Sequence, residues 1–224
     1  CTDIAKVLIE QGNEVKIAYG REYVPEQYKD LAVRIGNEIN VKLNVIRCRI
    51  FDDDGFAAKI QTKKFLKWAD KYNPDVLWLH NLHGYYINIE MLFNWIKSRP
   101  QMKVKWTLHD CWAFTGHCAY FTAVGCNNWK SGCFKCPKKE CYPASRFLDA
   151  SKQNWVRKRK AFTGLKSLVC ITPSKWLASL VEQSFLGKYN ICAIPNGIDL
   201  NLFKPTQSDF RKRYKLENKI IVLG

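Results

Sequence analysis

The chain has 224 residues, of which 47% are hydrophobic, enough for one α/β core but not for two large domains. It has no apolar run of 18 or more residues and no signal peptide, so we expect a cytoplasmic protein, with the inner face of the membrane as the alternative location. The net charge of +16 would attract a polyanion or an anionic membrane surface, but the absence of a recognised DNA- or RNA-binding signature argues against nucleic acid as a partner.

Hydrophobic periodicity predicts helices and strands that alternate along the chain. The predicted helices span residues 2–11, 26–35, 55–71, 88–98, 149–164, 174–185 and 207–216. The predicted strands span residues 14–19, 41–45, 76–79, 103–108, 168–172, 190–194 and 220–224. Such alternation is typical of an α/β fold with a doubly wound, mostly parallel sheet, here with a long cysteine-rich loop inserted after strand 103–108.

Two histidine motifs follow predicted strands. His80 and His83 lie in H-N-L-H-G after strand 76–79, and His109 is followed by Asp110 after strand 103–108. Ligands of parallel sheets bind beyond the carboxyl ends of the strands, so these motifs predict a polar cleft. The alternatives are a histidine that only caps its strand and a simple turn in which Gly84 supplies the bend. A two-histidine metal site is less favoured, because a turn lacks the helical spacing of zinc enzymes.

The cysteine-rich loop predicts a metal site. The chain has ten cysteines, and five of them lie between residues 118 and 141. A structural zinc ion would order this long loop, and its expected ligands are Cys118, Cys126, Cys133 and Cys136, with Cys141 as a leftover or substitute ligand. The alternatives are disulfides, which a reducing cytoplasm disfavours, and unliganded thiols used as small apolar residues. Cys170 and Cys192 fall in predicted strands, Cys48 lies in an apparent strand segment just after residues 41–45, and all three are expected in the core.

The predicted helix 149–164 is strongly basic. It carries five Lys or Arg residues, and Leu148, Trp155 and Phe162 recur every seven residues as a narrow apolar stripe. The charges are either a solvated face or a surface that rests on anionic lipid headgroups.

A hinge is predicted near the end of the chain. In the segment I-P-N-G-I-D, at residues 194–199, Pro195 closes a strand and Asn196-Gly197 supplies a tight turn. We therefore expect a domain over residues 1–195, a linker over 196–218, and the first strand of a second α/β domain over 219–224.

Four motifs carry a resemblance to a known family: H-N-L-H-G at 80–84, T-L-H-D-C-W at 107–112, I-T-P-S-K-W-L at 171–177 and I-P-N-G-I-D at 194–199. In their order and spacing they resemble those of retaining enzymes of glycosyltransferase family 4, which have the GT-B fold. The group that builds colanic acid and other bacterial surface polysaccharides is the most similar. The resemblance implies a Rossmann-like, acceptor-side N-terminal domain whose first strand would be absent here. It implies that His109 lies at the reaction centre. The expected substrate-binding residues are His80, Asn81, His83, Gly84, Asp110, Trp112 and Asn196.

The resemblance also implies a nucleotide-sugar donor, bound by a domain missing from this chain, a glycan or lipid-linked acceptor, and no catalytic metal. This chain alone should then be inactive. Two other function classes remain open: a zinc-containing basic module that binds nucleic acid or a membrane surface, and an enzyme similar to sugar-nucleotide epimerases. The ordered motif set favours the transferase over both.

Overall fold

Six strands and seven α-helices alternate along residues 1–222, the part of the chain that this computed structural model describes. The helices are α1 (Thr2–Glu10), α2 (Glu38–Phe51), α3 (Lys59–Tyr72), α4 (Ile89–Lys97), α5 (Ser151–Phe162), α6 (Lys175–Glu182) and α7 (Phe210–Arg213). The strands are β1 (Ile17–Tyr19), β2 (Ala32–Arg34), β3 (Val76–Leu79), β4 (Lys103–Thr107), β5 (Leu168–Thr172) and β6 (Asn190–Ala193). Short 3-10 helices lie at Glu26–Leu31, Trp112–Phe114, Thr122–Val124 and Asn128–Lys130.

All the strand pairs are parallel in the described part of the chain. Strands β3, β4, β5 and β6 form one sheet in chain order, and β1 pairs with β2 in a second sheet. This confirms the α/β, Rossmann-like class. Within residues 1–222 the strands do not form the single continuous sheet that a doubly wound fold predicts. The expectation that a further strand precedes α1 stays a prediction.

The centre of the core lies between the four-stranded sheet and helices α4 and α5. Trp106 of β4 packs against Phe93 of α4 and Phe162 of α5, with ring centroids 5.4 and 4.8 Å away. Both helices bury one stripe against the sheet, which is why their apolar residues recur at helical spacing. The indole nitrogen of Trp106 donates to the backbone carbonyl of His80 at 3.0 Å. The core is therefore bonded directly to the residue that follows β3.

Asp52 connects three segments that are distant in sequence. It ends α2 in the left-handed conformation, with φ +54°. Its Oδ1 lies 2.5 Å from Nδ1 of His117 in the cysteine-rich loop, and its Oδ2 accepts the backbone N–H of Ala150 at 2.8 Å. Its carbonyl accepts a hydrogen bond from the side chain of Asn154 in α5. Burial opposes a charge on His117, but the hydrogen bond and the negative charge of Asp52, together with smaller contributions from the cysteine-rich loop, outweigh burial, so the pKa of His117 is raised.

Helix α2 occupies the place of the strand predicted over residues 41–45, so that prediction is wrong. Asn37 and Asn40 form a capping box, in which each side chain accepts the other residue's backbone N–H, at 2.9 and 3.2 Å. Such a box satisfies N–H groups that a helix start leaves free. The buried residues of the helix are Val41 and Cys48, seven apart on one face. Cys48 is thus a core residue as expected, but of a helix rather than a strand.

Other predicted elements differ in extent. Residues 26–35 form a 3-10 helix followed by β2, because Ala32–Arg34 pair with β1. The helix predicted over 55–71 begins only at Lys59. The helix predicted over 207–216 is reduced to α7, which buries no residue and so lacks the packing that stabilises short helices. Residues 219–222 form no strand, and the rest of the strand predicted there lies outside the described residues.

Candidate active site

The carboxyl ends of β3 and β4 bring two histidines together. Leu79 lies opposite Trp106 in the register of these strands, so His80 emerges directly after β3 and His109 follows two residues after β4 ends. His80 Nδ1 is 3.2 Å from His109 Nε2, and the two rings are nearly parallel with centroids 5.5 Å apart. The Trp78 ring is also nearly parallel to that of His80, with centroids 6.1 Å apart. The two imidazoles therefore form a hydrogen-bonded pair at the edge of the sheet.

Both histidines of this pair are neutral near pH 7. Burial lowers the pKa of His80 to about 4, and burial also lowers the pKa of His109, although Asp110 opposes that shift. A neutral imidazole has one donor and one acceptor nitrogen, so one ring must donate to the other. If His109 accepts at Nε2, its Nδ1 carries a proton and can donate to a ligand. If it donates at Nε2, its Nδ1 is an acceptor.

A second polar cluster surrounds His83. Its Nε2 lies 2.8 Å from Oδ2 of Asp110, and its Nδ1 lies 2.9 Å from the hydroxyl of Tyr142. The other carboxylate oxygen of Asp110 accepts the backbone N–H of Trp112 at 2.8 Å. Tyr142 was not predicted, because it lies 59 residues from His83 and no local motif connects the two. The cluster holds a histidine, a carboxylate and a phenol in fixed orientations beside the His80–His109 pair.

The turn between His80 and α4 is stabilised by contacts of Tyr86. The Tyr86 hydroxyl donates to the carbonyl of Asn81 at 2.6 Å, and Gly84 has φ +123°, a bend that suits glycine. Gly20, which follows β1, packs against the Tyr86 ring so closely that a Cβ atom there would overlap it. The end of β1 therefore also supports this site. The Asn81 residue itself is exposed.

A buried carboxyl group lies beneath the turn. Asp54 is 5% exposed, and neither of its carboxyl oxygens has a hydrogen-bond partner of good geometry in the described residues, although the backbone N–H groups of Gly84 and Tyr85 are close to it. Burial raises the pKa of Asp54, while the nearby His83 and Lys158 act in the opposite direction. The D-D-D-G run at 52–55 was the only sequence signal for this group.

Comparison with known proteins gives the family of the chain. The family model described as Glycosyltransferase Family 4 matches residues 1–202. The chain belongs to glycosyltransferase family 4. A putative colanic acid biosynthesis glycosyl transferase, WcaC, from Escherichia coli strain K12 is 29% identical over 209 residues, which are 88% of this chain and 50% of that protein. The chain thus spans about half the length of the curated relative that it matches.

Trp112 and Asn196, two of the predicted substrate-binding residues of this family 4 chain, do not lie beside the histidine pair at the sheet edge. Trp112 is 2% exposed and its ring lies beneath His83, with centroids 5.6 Å apart, so it acts on a ligand only through His83. Asn196 is exposed beyond β6, which is two strands from β4 in the sheet, or roughly 10 Å at the usual strand spacing. The described residues show no hydrogen bond between its side chain and the histidine pair.

The cysteine-rich loop of the family 4 chain brings its predicted ligands to one place. A small cavity is lined by Cys118, Cys126, Cys133 and Cys136. All ten cysteines are free thiols, and Cys141 is exposed and outside the cavity wall. In residues 1–222, no group of three or more His, Cys, Asp or Glu side chains could hold a metal ion as it stands. The zinc site therefore stays a prediction.

Helix α5 of the family 4 chain is less uniformly basic on its surface than the sequence suggests. Lys158 is buried, and its Nζ donates to the carbonyl of Trp112 at 2.8 Å. Arg157 forms a two-pronged ion pair with Glu90, at 2.9 and 2.6 Å. The apolar stripe is also interrupted, since Trp155 and Phe162 are buried but Leu148 is exposed. None of the helices described in residues 1–222 is both long and apolar enough to cross a bilayer.

Proposed function

We propose that this chain forms the acceptor-side half of a retaining glycosyltransferase. The whole enzyme would transfer a sugar from a nucleotide-sugar donor to a glycan or lipid-linked acceptor during assembly of a bacterial surface polysaccharide. The family assignment and the similarity to WcaC support the transferase class. The observation that carries the proposal for this chain is the neutral His80–His109 pair at the carboxyl ends of adjacent parallel strands.

His109 is the proposed catalytic residue. It is exposed at the sheet edge, its Nε2 is engaged by His80, and its Nδ1 is left to face a ligand. A neutral imidazole there hydrogen-bonds a hydroxyl of the transferred sugar or of the acceptor without placing a positive charge beside the oxocarbenium-like centre of glycosyl transfer. His80 sets which kind of hydrogen bond His109 can make, so it is a positioning residue.

The cluster around His83 is proposed to bind the acceptor. Asp110 accepts hydrogen bonds from two protein groups through different oxygens, and each oxygen has a further lone pair for a sugar hydroxyl. The Tyr142 hydroxyl and the Asn81 side chain add hydrogen-bonding capacity at the rim. Asn196 in the proposed linker would contribute only when the linker brings a second domain against this edge.

The donor is proposed to bind elsewhere in the whole protein. We propose residues 1–195 as the acceptor domain, 196–218 as the linker, and 219–224 as the start of a donor domain that supplies the groups for the nucleotide diphosphate. No catalytic metal is required in this proposal. Backbone N–H groups at a helix N-terminus, together with basic side chains of the proposed second domain, can stabilise the leaving diphosphate. The isolated chain should bind acceptor glycans without transferring sugar, and measurable turnover by it would contradict this division of roles.

The proposed role of His109 is tested by His109→Ala in the intact protein, with Gln101→Ala, exposed just before the amino end of β4, as the control. Loss of one positioned hydrogen-bonding or proton-transferring group should lower kcat by about 10²–10³-fold. The control should change it less than about twofold, as expected for surface substitutions remote from the site. A His109→Ala enzyme that retains a third or more of the wild-type kcat with the native donor would refute the proposal.

The exposed side of α5 is proposed to contact anionic lipid. Lys152, Val156, Arg159 and Lys160 are exposed at helical spacing, and Phe147 next to the helix is exposed as well. Replacing the three basic residues with Glu should weaken binding of the intact protein to vesicles that contain phosphatidylglycerol. The matched control makes the same charge change at Lys63, Lys64 and Lys67, which are exposed on α3. Equal losses for both triple variants would indicate net charge alone and contradict a specific α5 surface.

A further inference from the structure

The cavity in the cysteine-rich loop is small, and its sulfur atoms are the groups left to bind a ligand. Its volume is about 10 Å³, room for one water-sized particle, and its apolar walls include Phe121 and Trp129. The other polar residues that line it are engaged. The Thr115 hydroxyl donates to the carbonyl of Cys118 at 2.6 Å, and the Asn128 amide donates to the carbonyl of Phe134 at 3.2 Å.

His117 also lines this cavity but is not available as a ligand. Its Nδ1 is bonded to Asp52 at 2.5 Å, and its Nε2 donates to the carbonyl of Cys141 at 3.3 Å. A metal ligand needs one ring nitrogen with a free lone pair, and both nitrogens of His117 are used. The thiol of Cys141 is exposed and lies outside the cavity wall. The candidate metal ligands are therefore the four cysteines that line the cavity.

One of these sulfurs already accepts a backbone N–H group, and a second lies close to one. The backbone N–H of Gly116 donates to Cys133 Sγ at 3.1 Å. Only glycine fits at this position, because a Cβ atom would overlap the carbonyl of Ser151. The backbone N–H of Lys138 is close to the sulfur of Cys136 and acts to lower the pKa of that thiol. Such outer-shell donors stabilise thiolates and orient them toward a metal.

A buried cation lies next to the same sulfurs. Lys158 is 1% exposed, and its positive charge acts on both Cys118 and Cys133. Zinc held by four thiolates has a net charge of about −2, which is costly in an apolar setting without a nearby positive group. Lys158 can supply such a charge, although the buried Asp54 acts on it more strongly than the cysteines do.

We propose that Cys118, Cys126, Cys133 and Cys136 bind one structural Zn²⁺ ion in this cavity, and that the four thiol side chains turn inward to do so. Each thiol that forms a Zn–S bond releases its proton to solvent, so binding tightens as pH rises. The ion would fix the loop between β4 and α5, the loop that also carries Tyr142 to the His83 cluster. The site lies apart from the histidine pair and has a structural role.

The experiment measures zinc in the intact protein purified without added zinc or chelator. We expect about one equivalent by mass spectrometry of the metal, and its release when a mercurial reagent modifies four thiols. Cys133→Ser and Cys126→Ser should each lower the zinc content to below about a fifth of an equivalent at equal dialysis, since a tetrahedral site loses one of four ligands. Cys192→Ser in β6, outside the cavity wall, is the matched control and should retain the full equivalent.

Cobalt substitution keeps the proposal testable if a cysteine variant fails to fold. Wild-type protein loaded with Co²⁺ should show the intense visible bands and the sulfur-to-cobalt charge-transfer band of a tetrahedral thiolate site. Purified wild-type protein with less than about a tenth of an equivalent of zinc, and no such spectrum after Co²⁺ addition, would overturn the proposal. So would a disulfide among these four cysteines, detected by mass as the loss of two hydrogen atoms.

Discussion

The hydrogen bond from Trp106 to His80 connects the stability of the core to the sheet edge that carries the histidine pair, and Trp106→Phe tests this connection. The substitution removes the indole N–H and leaves the His80 carbonyl without its partner. Because Trp106 is 1% exposed, water cannot easily replace the lost donor, and an unsatisfied buried carbonyl costs about 1–3 kcal/mol. The smaller ring also leaves a void between Phe93 and Phe162, which costs about 1 kcal/mol more. The expected loss in the free energy of unfolding is therefore about 2–4 kcal/mol.

Trp95→Phe is the matched control, since it removes the same indole N–H from another largely buried tryptophan. The Trp95 nitrogen donates to Asp70 at 2.7 Å, but the Asp70 side chain is 47% exposed and can bind water instead. We expect a cost of about 1 kcal/mol from the lost bond and the lost contact with Arg99. Urea unfolding of the intact protein measures both values. If Trp106→Phe costs no more than Trp95→Phe, the assigned role of the His80 carbonyl is wrong.

Three further predictions concern the loop, the turn and pH. Asp52→Asn should destabilise the protein by about 1–3 kcal/mol in urea unfolding, because it removes the carboxylate that bonds both His117 and the Ala150 N–H; an unchanged stability would contradict this role of Asp52. Gly20→Ala should displace the Tyr86 ring and lower kcat/KM while the far-ultraviolet circular dichroism is unchanged, and wild-type kinetics would show that this contact is not required. Because the pKa of His80 is lowered to about 4, its neutral form is lost only as pH falls well below the ordinary value of 6.5. The pH–rate profile should therefore be flat through 6.5, and a midpoint there would refute a neutral pair.

The sequence predicted the four-stranded sheet well, since β3, β4, β5 and β6 are apolar segments with clear turn signals. It failed at residues 41–45, where alternation favoured a strand but the Asn37–Asn40 capping box decided for a helix. It also missed that β1 and β2 pair with each other, because residues 32–34 were included in a predicted helix over 26–35.

For the candidate site, strand ends identified His80, His83 and His109, since position after a strand is a local signal. Tyr142 and Asp54 were missed because they reach the site through long-range packing. Lys158 was misjudged for a related reason. In the sequence it is one of several basic residues on a helix, and only the packing of α5 under Trp112 shows that it is buried.

The three contacts of Asp52 have a consequence for how the chain folds. They join residues separated by 65, 98 and 102 positions, so each closes a long segment of chain. Closing such segments costs entropy before any contact is gained. We expect the contacts of Asp52 to form after the folding barrier, as interactions absent from the transition state. Loss of Asp52 should then accelerate unfolding far more than it slows folding. In stopped-flow experiments, the unfolding limb would shift while the refolding limb stays in place.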